Sequence, residues 1–196
     1  MNPAKDEPIA KVPFVTPEEV DAAVDAAVRA FEKWREVPVP TRVQYLFRMK
    51  EVFEKNKEEL ARIITQNHGK AIDDARGEVR RMIENVETAI AIGYTLLKGE
   101  HLDQIASGID EYMVREPLGA FAIIGPFNFP IMSPFWFIPH ALVVGDTVVV
   151  KPSEITPVAF YWLNKLIHEI RLPPGVFNVI YGRAEAGERL ISHKDI

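Results

Sequence analysis

The sequence predicts an α/β fold, in which a helical first half is followed by a parallel β-α-β half. In the first hundred or so residues, apolar side chains recur every three or four positions, the period of helices with one buried face. Beyond them, short apolar runs at 120–124, 147–150 and 176–180 alternate with segments of helical period. Strands that are apolar on both faces are typical of a parallel sheet covered by helices.

The composition is that of a globular protein: 47% of the 196 residues are hydrophobic and 26% are charged. The formal charge of −5, without a Lys/Arg cluster, disfavours nucleic acid as a partner. Prolines interrupt the apolar stretch 119–150 and no signal segment is visible, so we expect no membrane span and a cytoplasmic location. The absence of cysteine excludes a cysteine nucleophile in this chain, and the histidines lack metal-site spacing.

The first helix has a clear start signal. Thr16, Pro17 and Glu19 have the pattern of an N-cap, a first helical residue and a capping box. Apolar residues then repeat on one face of this helix at Val20, Val24, Ala27, Phe31 and Trp34.

Three further helices are predicted in the first half. The second begins near Thr41, the third stops at Gly69, and the fourth extends from Ile72 to Lys98 and is closed by Gly99. Most charged residues of the fourth helix are interpreted as its solvated face. The residues of the second and third helices predicted to face inward are Val43, Leu46, Phe47, Phe53, Leu60, Ile63 and Ile64.

The second half begins with a strand near Tyr112 and continues through the three buried strands and the helices between them. One of these helices starts at Thr156 and Pro157, with Tyr161 and Trp162 on its apolar repeat. A last helix begins near Ala184.

Asn128 lies just beyond the first buried strand, between two prolines. Ligands of an open parallel sheet bind beyond the carboxyl ends of its strands, so this position is a candidate site. From the sequence, Asn128 is either a turn residue or helix N-cap, or an amide that donates a hydrogen bond to an oxyanion.

Lys151 follows the second buried strand, and Glu154 comes three residues later. Lys151 is either a surface lysine or, together with Glu154, the group that binds the two hydroxyls of an adenosine ribose. A carboxylate at this place would repel a 2′-phosphate and so favour NAD over NADP.

These two motifs resemble signatures of the aldehyde dehydrogenase superfamily, namely Gly-Pro-Phe-Asn-Phe-Pro at 125–130 and Lys-Pro-Ser-Glu at 151–154. The resemblance extends over nearly the whole chain. Phe127 and the segments 77–84 and 134–139 are most similar to the methylmalonate-semialdehyde dehydrogenase branch, which transfers its acyl group to coenzyme A.

The resemblance implies an NAD-dependent enzyme that oxidises an aldehyde or a carboxylated semialdehyde and passes the acyl group to coenzyme A or water. Asn128 would be the oxyanion-hole amide, and Arg81 would hold a substrate carboxylate. No metal is implied. The residues implied to contact NAD are Ile124, Gly125, Pro126, Phe127, Lys151, Glu154 and Ile155.

The same resemblance divides the chain into three parts. Residues 1–108 would be the helical part of a cofactor-binding domain, 109–118 an oligomerisation strand and turn, and 119–196 an incomplete Rossmann-like NAD-binding part. The family's nucleophilic cysteine, general base and catalytic domain are expected beyond this chain, so the chain alone should be inactive. It would act as a fragment of a homo-oligomer, a dimer or tetramer, or with a second chain carrying the catalytic half. The alternative is a non-catalytic nucleotide-binding or structural subunit.

Overall fold

Four helices fill the first half of the chain, and a parallel sheet with three helices fills most of the second half. The structure, a computed structural model, describes all residues 1–196. The helices are α1 (Pro17–Trp34), α2 (Val39–Lys55), α3 (Lys57–His68), α4 (Ile72–Leu96), α5 (Ile138–Val144), α6 (Pro157–Ile170) and α7 (Ala184–Ile191). The strands are β1 (Glu100–Ala106), β2 (Ile109–Met113), β3 (Ala120–Ile124), β4 (Thr147–Lys151) and β5 (Phe177–Val179).

The main sheet has the strand order β3-β4-β5, and both pairs are parallel, as the sequence predicts. Ile124 pairs with Lys151 in the register, so β3 and β4 end at the same level. The backbone N–H of Gly125 extends this pairing by donating to the carbonyl of Lys151 at 2.9 Å. The segments that follow the two strands therefore leave the sheet side by side.

The central strand β4 is completely buried because helices cover both faces of the sheet. Val149 packs with residues of α1 and α7 in a small apolar cluster. Val148 and Val150 point the other way, into the larger core formed with the helical half of the chain. This explains why the strand shows no polar alternation in the sequence.

The start of α1 confirms the predicted capping box. Thr16 Oγ1 accepts from the Glu19 N–H at 3.3 Å, and Glu19 Oε2 accepts from the Thr16 N–H at 2.8 Å. The five residues predicted on the inner face are all buried. Gly69 ends α3 as predicted, with φ 89°, a left-handed conformation that costs glycine little.

The start of α6 is capped from another helix. Thr156 is the N-cap residue, but its hydroxyl donates to the Phe127 carbonyl at 3.2 Å instead of capping the helix. Asn67, buried at the end of α3, accepts from the Val158 N–H at 3.0 Å. The two bonds tie α6 both to α3 and to the turn that follows β3.

Several details of the helices differ from the sequence prediction. α2 begins at Val39, and α4 ends at Leu96 without using Gly99 as its cap. Phe47 is 48% exposed because the face of α2 that packs on the core is centred on other residues. The buried residues of α2 are Arg42, Val43, Leu46, Met49 and Phe53.

Tyr161 and Trp162 are also more exposed than predicted, at 45% and 39%. The inner face of α6 is filled by neighbouring apolar residues such as Phe160 and Leu163. Both exposed rings lie against Lys165, whose ammonium is 4.7 and 5.0 Å from their centroids. The apolar repeat of α6 is therefore wider than the face it buries.

Strand β1 was not predicted. It pairs antiparallel with β2 in a two-stranded sheet whose residues are all exposed. Within this hairpin the His101 and Tyr112 rings stack at 4.4 Å. A hairpin outside the core leaves no buried alternation in the sequence, which is the signal that strand prediction uses.

None of the seven helices combines the length and the apolar character that a membrane span needs.

Candidate functional site

The turn after β3 carries Asn128 to the surface. Phe127 and Asn128 are exposed, whereas Gly125 before them and Pro130 after them are buried. No hydrogen bond within the chain involves the Asn128 side chain, so its amide is free to bind a ligand. An exposed amide on an anchored turn is what the oxyanion interpretation requires.

Asn128 and Arg81 line the same cavity, which has a volume of about 560 Å³. Arg81 projects from α4, is 64% exposed, and forms an ion pair with Glu84 at 2.9 Å. The structure thus brings together an amide donor and a guanidinium that are far apart in the sequence. Further residues lining this cavity are His68, Lys70, Gly77, Glu78 and Phe129.

His68 was not singled out in the sequence, and its side chain also lines this cavity. Burial, and then the nearby Lys70 ammonium, lower the pKa of the imidazole below its ordinary value. The ring is therefore neutral at pH 7. Its Nδ1 is buried without a hydrogen-bond partner in the chain.

A buried ion pair lies beneath the turn and was missed in the sequence analysis. Lys70 Nζ donates to Glu78 Oε2 at 2.6 Å, and the two side chains are 9% and 0% exposed. Most charged residues of α4 were interpreted as its solvated face, and Glu78 is an exception because it is buried. A sequence signal exists, since Glu78 shares the helical spacing of the buried residues Ala75 and Met82.

Lys151 and Glu154 lie together at the end of β4. Their ammonium and carboxylate are 3.3 Å apart, with Lys151 buried and Glu154 38% exposed. A hydrogen bond from its own backbone N–H lowers the pKa of the Glu154 carboxyl; partial burial opposes this and the bond from Lys151 adds to it. The lowered pKa keeps Glu154 ionised at neutral pH.

The beginning of α7 meets the same edge of the sheet. A Cβ atom at Gly187 would stand 3.6 Å from Lys151 Cδ and 3.8 Å from Ile124 Cδ1, so glycine leaves a small space beside both residues. Apolar groups are open to solvent along this edge at Ile124, Phe127 and Ile155, which are 48%, 51% and 62% exposed. An ion pair beside exposed apolar groups suits a ligand with ribose hydroxyls and an aromatic base.

The predicted residues therefore form two groups. Arg81 and Asn128 lie at the cavity beside α4, while Ile124, Gly125, Lys151 and Glu154 lie at the ends of β3 and β4. Pro126 and Phe127 are exposed on the turn between the two groups.

A third cluster lies on the hairpin, where side-chain ligand atoms of His101, Asp103 and Asp110 are within 4.8 Å of one another. All three residues are exposed, and exposed acidic groups are common without an ion. We therefore assign no metal to this cluster.

Comparison with known proteins gives a consistent result. Residues 1–196 match the family model described as the aldehyde dehydrogenase family. Malonate-semialdehyde dehydrogenase 2 of Geobacillus thermodenitrificans is 49% identical over 195 residues. The match takes in 100% of this chain and 40% of that protein. The chain thus spans about two-fifths of the length of the curated relatives it matches.

Two solved structures are similar over most of this chain. The methylmalonate-semialdehyde dehydrogenase of Oceanimonas doudoroffii is 41% identical with a TM-score of 0.89, covering 93% of this chain and 37% of that one. A Sinorhizobium meliloti 1021 protein, provisionally named a methylmalonate-semialdehyde dehydrogenase and solved with NAD, is 36% identical with a TM-score of 0.95. That match covers 100% of this chain and 40% of the solved one.

Proposed function

Because the chain belongs to the aldehyde dehydrogenase family, we propose that it is the N-terminal, NAD-binding portion of an enzyme that oxidises a carboxylated semialdehyde. The observation that carries this proposal is the shared cavity of Asn128 and Arg81. One residue suits the developing charge on an aldehyde oxygen, and the other suits a carboxylate on the same small molecule. The names of the malonate- and methylmalonate-semialdehyde dehydrogenases that the chain resembles support this substrate class.

In the proposed reaction, a cysteine thiolate from the remainder of the enzyme attacks the aldehyde carbon. The Asn128 amide then donates a hydrogen bond to the oxygen as it gains negative charge. Arg81 binds the distal carboxylate and sets the distance between that group and the turn. The acyl group leaves to coenzyme A, as in the branch that the sequence resembles.

NAD fits the ends of β3 and β4. Lys151 and Glu154 present an ammonium and an ionised carboxylate for the ribose hydroxyls, and Gly187 leaves the space beside them open. The residues proposed to line the rest of this site are Ile124, Gly125, Pro126, Phe127 and Ile155. A bound NAD would supply the hydride acceptor of the oxidation.

The test of this function uses a hybrid protein. Residues 1–196 are joined to the part of the Geobacillus thermodenitrificans relative that lies beyond its match to this chain. We expect NADH to form when the hybrid is given NAD, coenzyme A and malonate or methylmalonate semialdehyde. The 196-residue chain alone is the control and should form none, since it contains no cysteine. A folded hybrid that reduces no NAD with any aldehyde would contradict the proposal.

Arg81→Lys in the hybrid should raise KM for a carboxylated semialdehyde by about tenfold, because lysine cannot form bidentate hydrogen bonds to a carboxylate. The KM for propanal, which has no carboxylate, should stay within about twofold. Steady-state kinetics with the two aldehydes gives the comparison. The matched control is Arg62→Lys, an exposed arginine of α3 outside this cavity. Equal changes for both aldehydes would remove Arg81 from this role.

Glu154→Ser should raise the ratio of NADP to NAD affinity by about tenfold, because the ionised carboxylate no longer repels a 2′-phosphate. Calorimetric titration of the hybrid with each nucleotide measures this ratio. Glu169→Ser, the same charge change at the exposed end of α6, is the control. An unchanged ratio would show that Glu154 does not select the cofactor.

A second candidate function is a non-catalytic nucleotide-binding subunit, which the absence of cysteine favours. It predicts that the 196-residue chain binds NAD without turnover and that the hybrid is inactive.

In either function we propose that residues 109–118 contact a second copy of the chain. Residues 109–113 form one strand of the β1-β2 hairpin, and a two-stranded hairpin alone has only marginal stability. The apolar residues Leu102, Ile105 and Tyr112 of this hairpin are at least half exposed. Location in the cytoplasm stays a prediction from the sequence.

A further inference from the structure

Lys70 and Glu78 together hold the backbone of the turn that carries Asn128. Besides its bond to Glu78, Lys70 Nζ donates to the Asn128 carbonyl at 2.7 Å and lies 4.4 Å from the centroid of the Phe129 ring. Glu78 Oε1 accepts from the N–H groups of Ile131 and Met132 at 3.0 and 3.3 Å. The ion pair thus binds the turn at the asparagine itself and at residues that follow it.

The direction of the Asn128 amide depends on this backbone. Its side chain makes no hydrogen bond within the chain, so no hydrogen bond orients the amide directly. The only other side-chain bond to the turn comes from Thr156, which donates to the Phe127 carbonyl at 3.2 Å. A shift of the 128 carbonyl would therefore move the amide with it.

A role in stability alone does not account for this arrangement. Burying a lysine and a glutamate is costly, and an apolar pair of similar volume often stabilises a fold as well or better. Besides the bond between Lys70 and Glu78, every hydrogen bond that these two side chains make goes to the backbone of residues 128–132. The pair is thus directed at the edge of the cavity and not at the core.

We propose that Lys70 and Glu78 are positioning residues, which act on the reaction by fixing the peptide group of Asn128 and so the aim of its amide. This inference rests on the proposed function. A rigid donor stabilises an oxyanion more than a mobile one, because its orientation is set before charge develops. The pair touches neither the aldehyde carbon nor the hydride acceptor in this role.

The test is a double-mutant cycle in the hybrid. Lys70→Met should lower kcat about 10- to 100-fold per folded active site, through misplacement of the amide. In an Asn128→Ala background the same change should alter kcat by less than about twofold, because no amide is left to misplace. Lys70→Arg, which can still donate to the Glu78 carboxylate, should recover most of the activity. Lys50→Met, the partly buried partner of Glu87 between α2 and α4, is the control.

The two backgrounds decide the outcome. If Lys70→Met lowers kcat by the same factor with and without the Asn128 side chain, the pair supports folding or binding in general and the positioning role is wrong. An inactive parent hybrid would instead reject the proposed function. The cycle thus distinguishes failure of the two proposals.

Amide hydrogen exchange on the 196-residue chain tests the same inference without activity. Glu78→Met should speed exchange at Ile131 and Met132 by about tenfold or more, while Val86, later on α4, stays protected. Glu78→Gln keeps an acceptor oxygen and should have a smaller effect, which serves as the second variant if Glu78→Met does not fold. Unchanged exchange at both residues would show that the pair does not hold the turn.

Discussion

Asn128→Ala in the hybrid is expected to lower kcat about 100- to 1000-fold, the usual effect of removing one oxyanion donor. The KM for the semialdehyde should change little, because the donor acts on charge that develops during the reaction. Steady-state kinetics measures both constants. The thermal midpoint should be unchanged, since the side chain is exposed and makes no hydrogen bond within the chain.

Asn128→Asp separates hydrogen-bond donation from the size of the side chain. Ionised aspartate has nearly the same shape but only accepts hydrogen bonds, so its loss of kcat should be at least as large. Asn164→Ala, on α6, is the matched control for removing an amide. If Asn128→Asp kept near-normal kcat, donation from this residue would not be part of the reaction.

Arg42→Met is expected to destabilise the chain by about 3 kcal/mol. Arg42 is 4% exposed, and burial lowers the pKa of its guanidinium. Its Nε donates to the Val143 carbonyl of α5 at 2.9 Å, and its Nη1 donates to the Val37 carbonyl at 2.6 Å. Further bonds from Nη1 reach the carbonyls of Trp34 and Arg35 at the end of α1.

The carbonyls of Arg35, Val37 and Val143 would be left without a partner in Arg42→Met. The Trp34 carbonyl would keep the bond that it accepts from the Val37 N–H at 3.1 Å. A urea titration of the 196-residue chain followed by circular dichroism measures the free energy of unfolding. The free energy of unfolding of Arg42→Lys should lie between that of the unchanged chain and that of Arg42→Met, because one ammonium cannot span all four acceptors.

Arg48→Ala is the control for this prediction. Arg48 is exposed on the same helix, and its guanidinium lies 4.9 Å from the centroid of the Tyr45 ring. Its loss should cost less than about 0.5 kcal/mol. A similar small cost for Arg42→Met would mean that solvent satisfies the carbonyls of Arg35, Val37 and Val143 and that Arg42 does not join α1 to α5.

The candidate residues at the sheet edge could be found from the sequence because each follows a buried strand. Asn128 and Lys151 are polar residues at the ends of apolar runs, and parallel strands place such ends at one edge. Arg81 lies on a helix in the other half of the chain. It was assigned through family resemblance, and only packing of α4 against the segment after β3 shows that it shares a cavity with Asn128.

Local patterns in the sequence determined the class of fold, the capping box of α1, the stop at Gly69 and the three parallel strands, because each depends on neighbouring residues or on one period of burial. Tertiary structure alone decided the partners of buried polar groups. Lys70 and Glu78 meet the turn at 128–132, and Asn67 caps α6, across long separations in the chain. A buried charge is stable only beside its partner, and chain folding, not spacing, decides which partner that is.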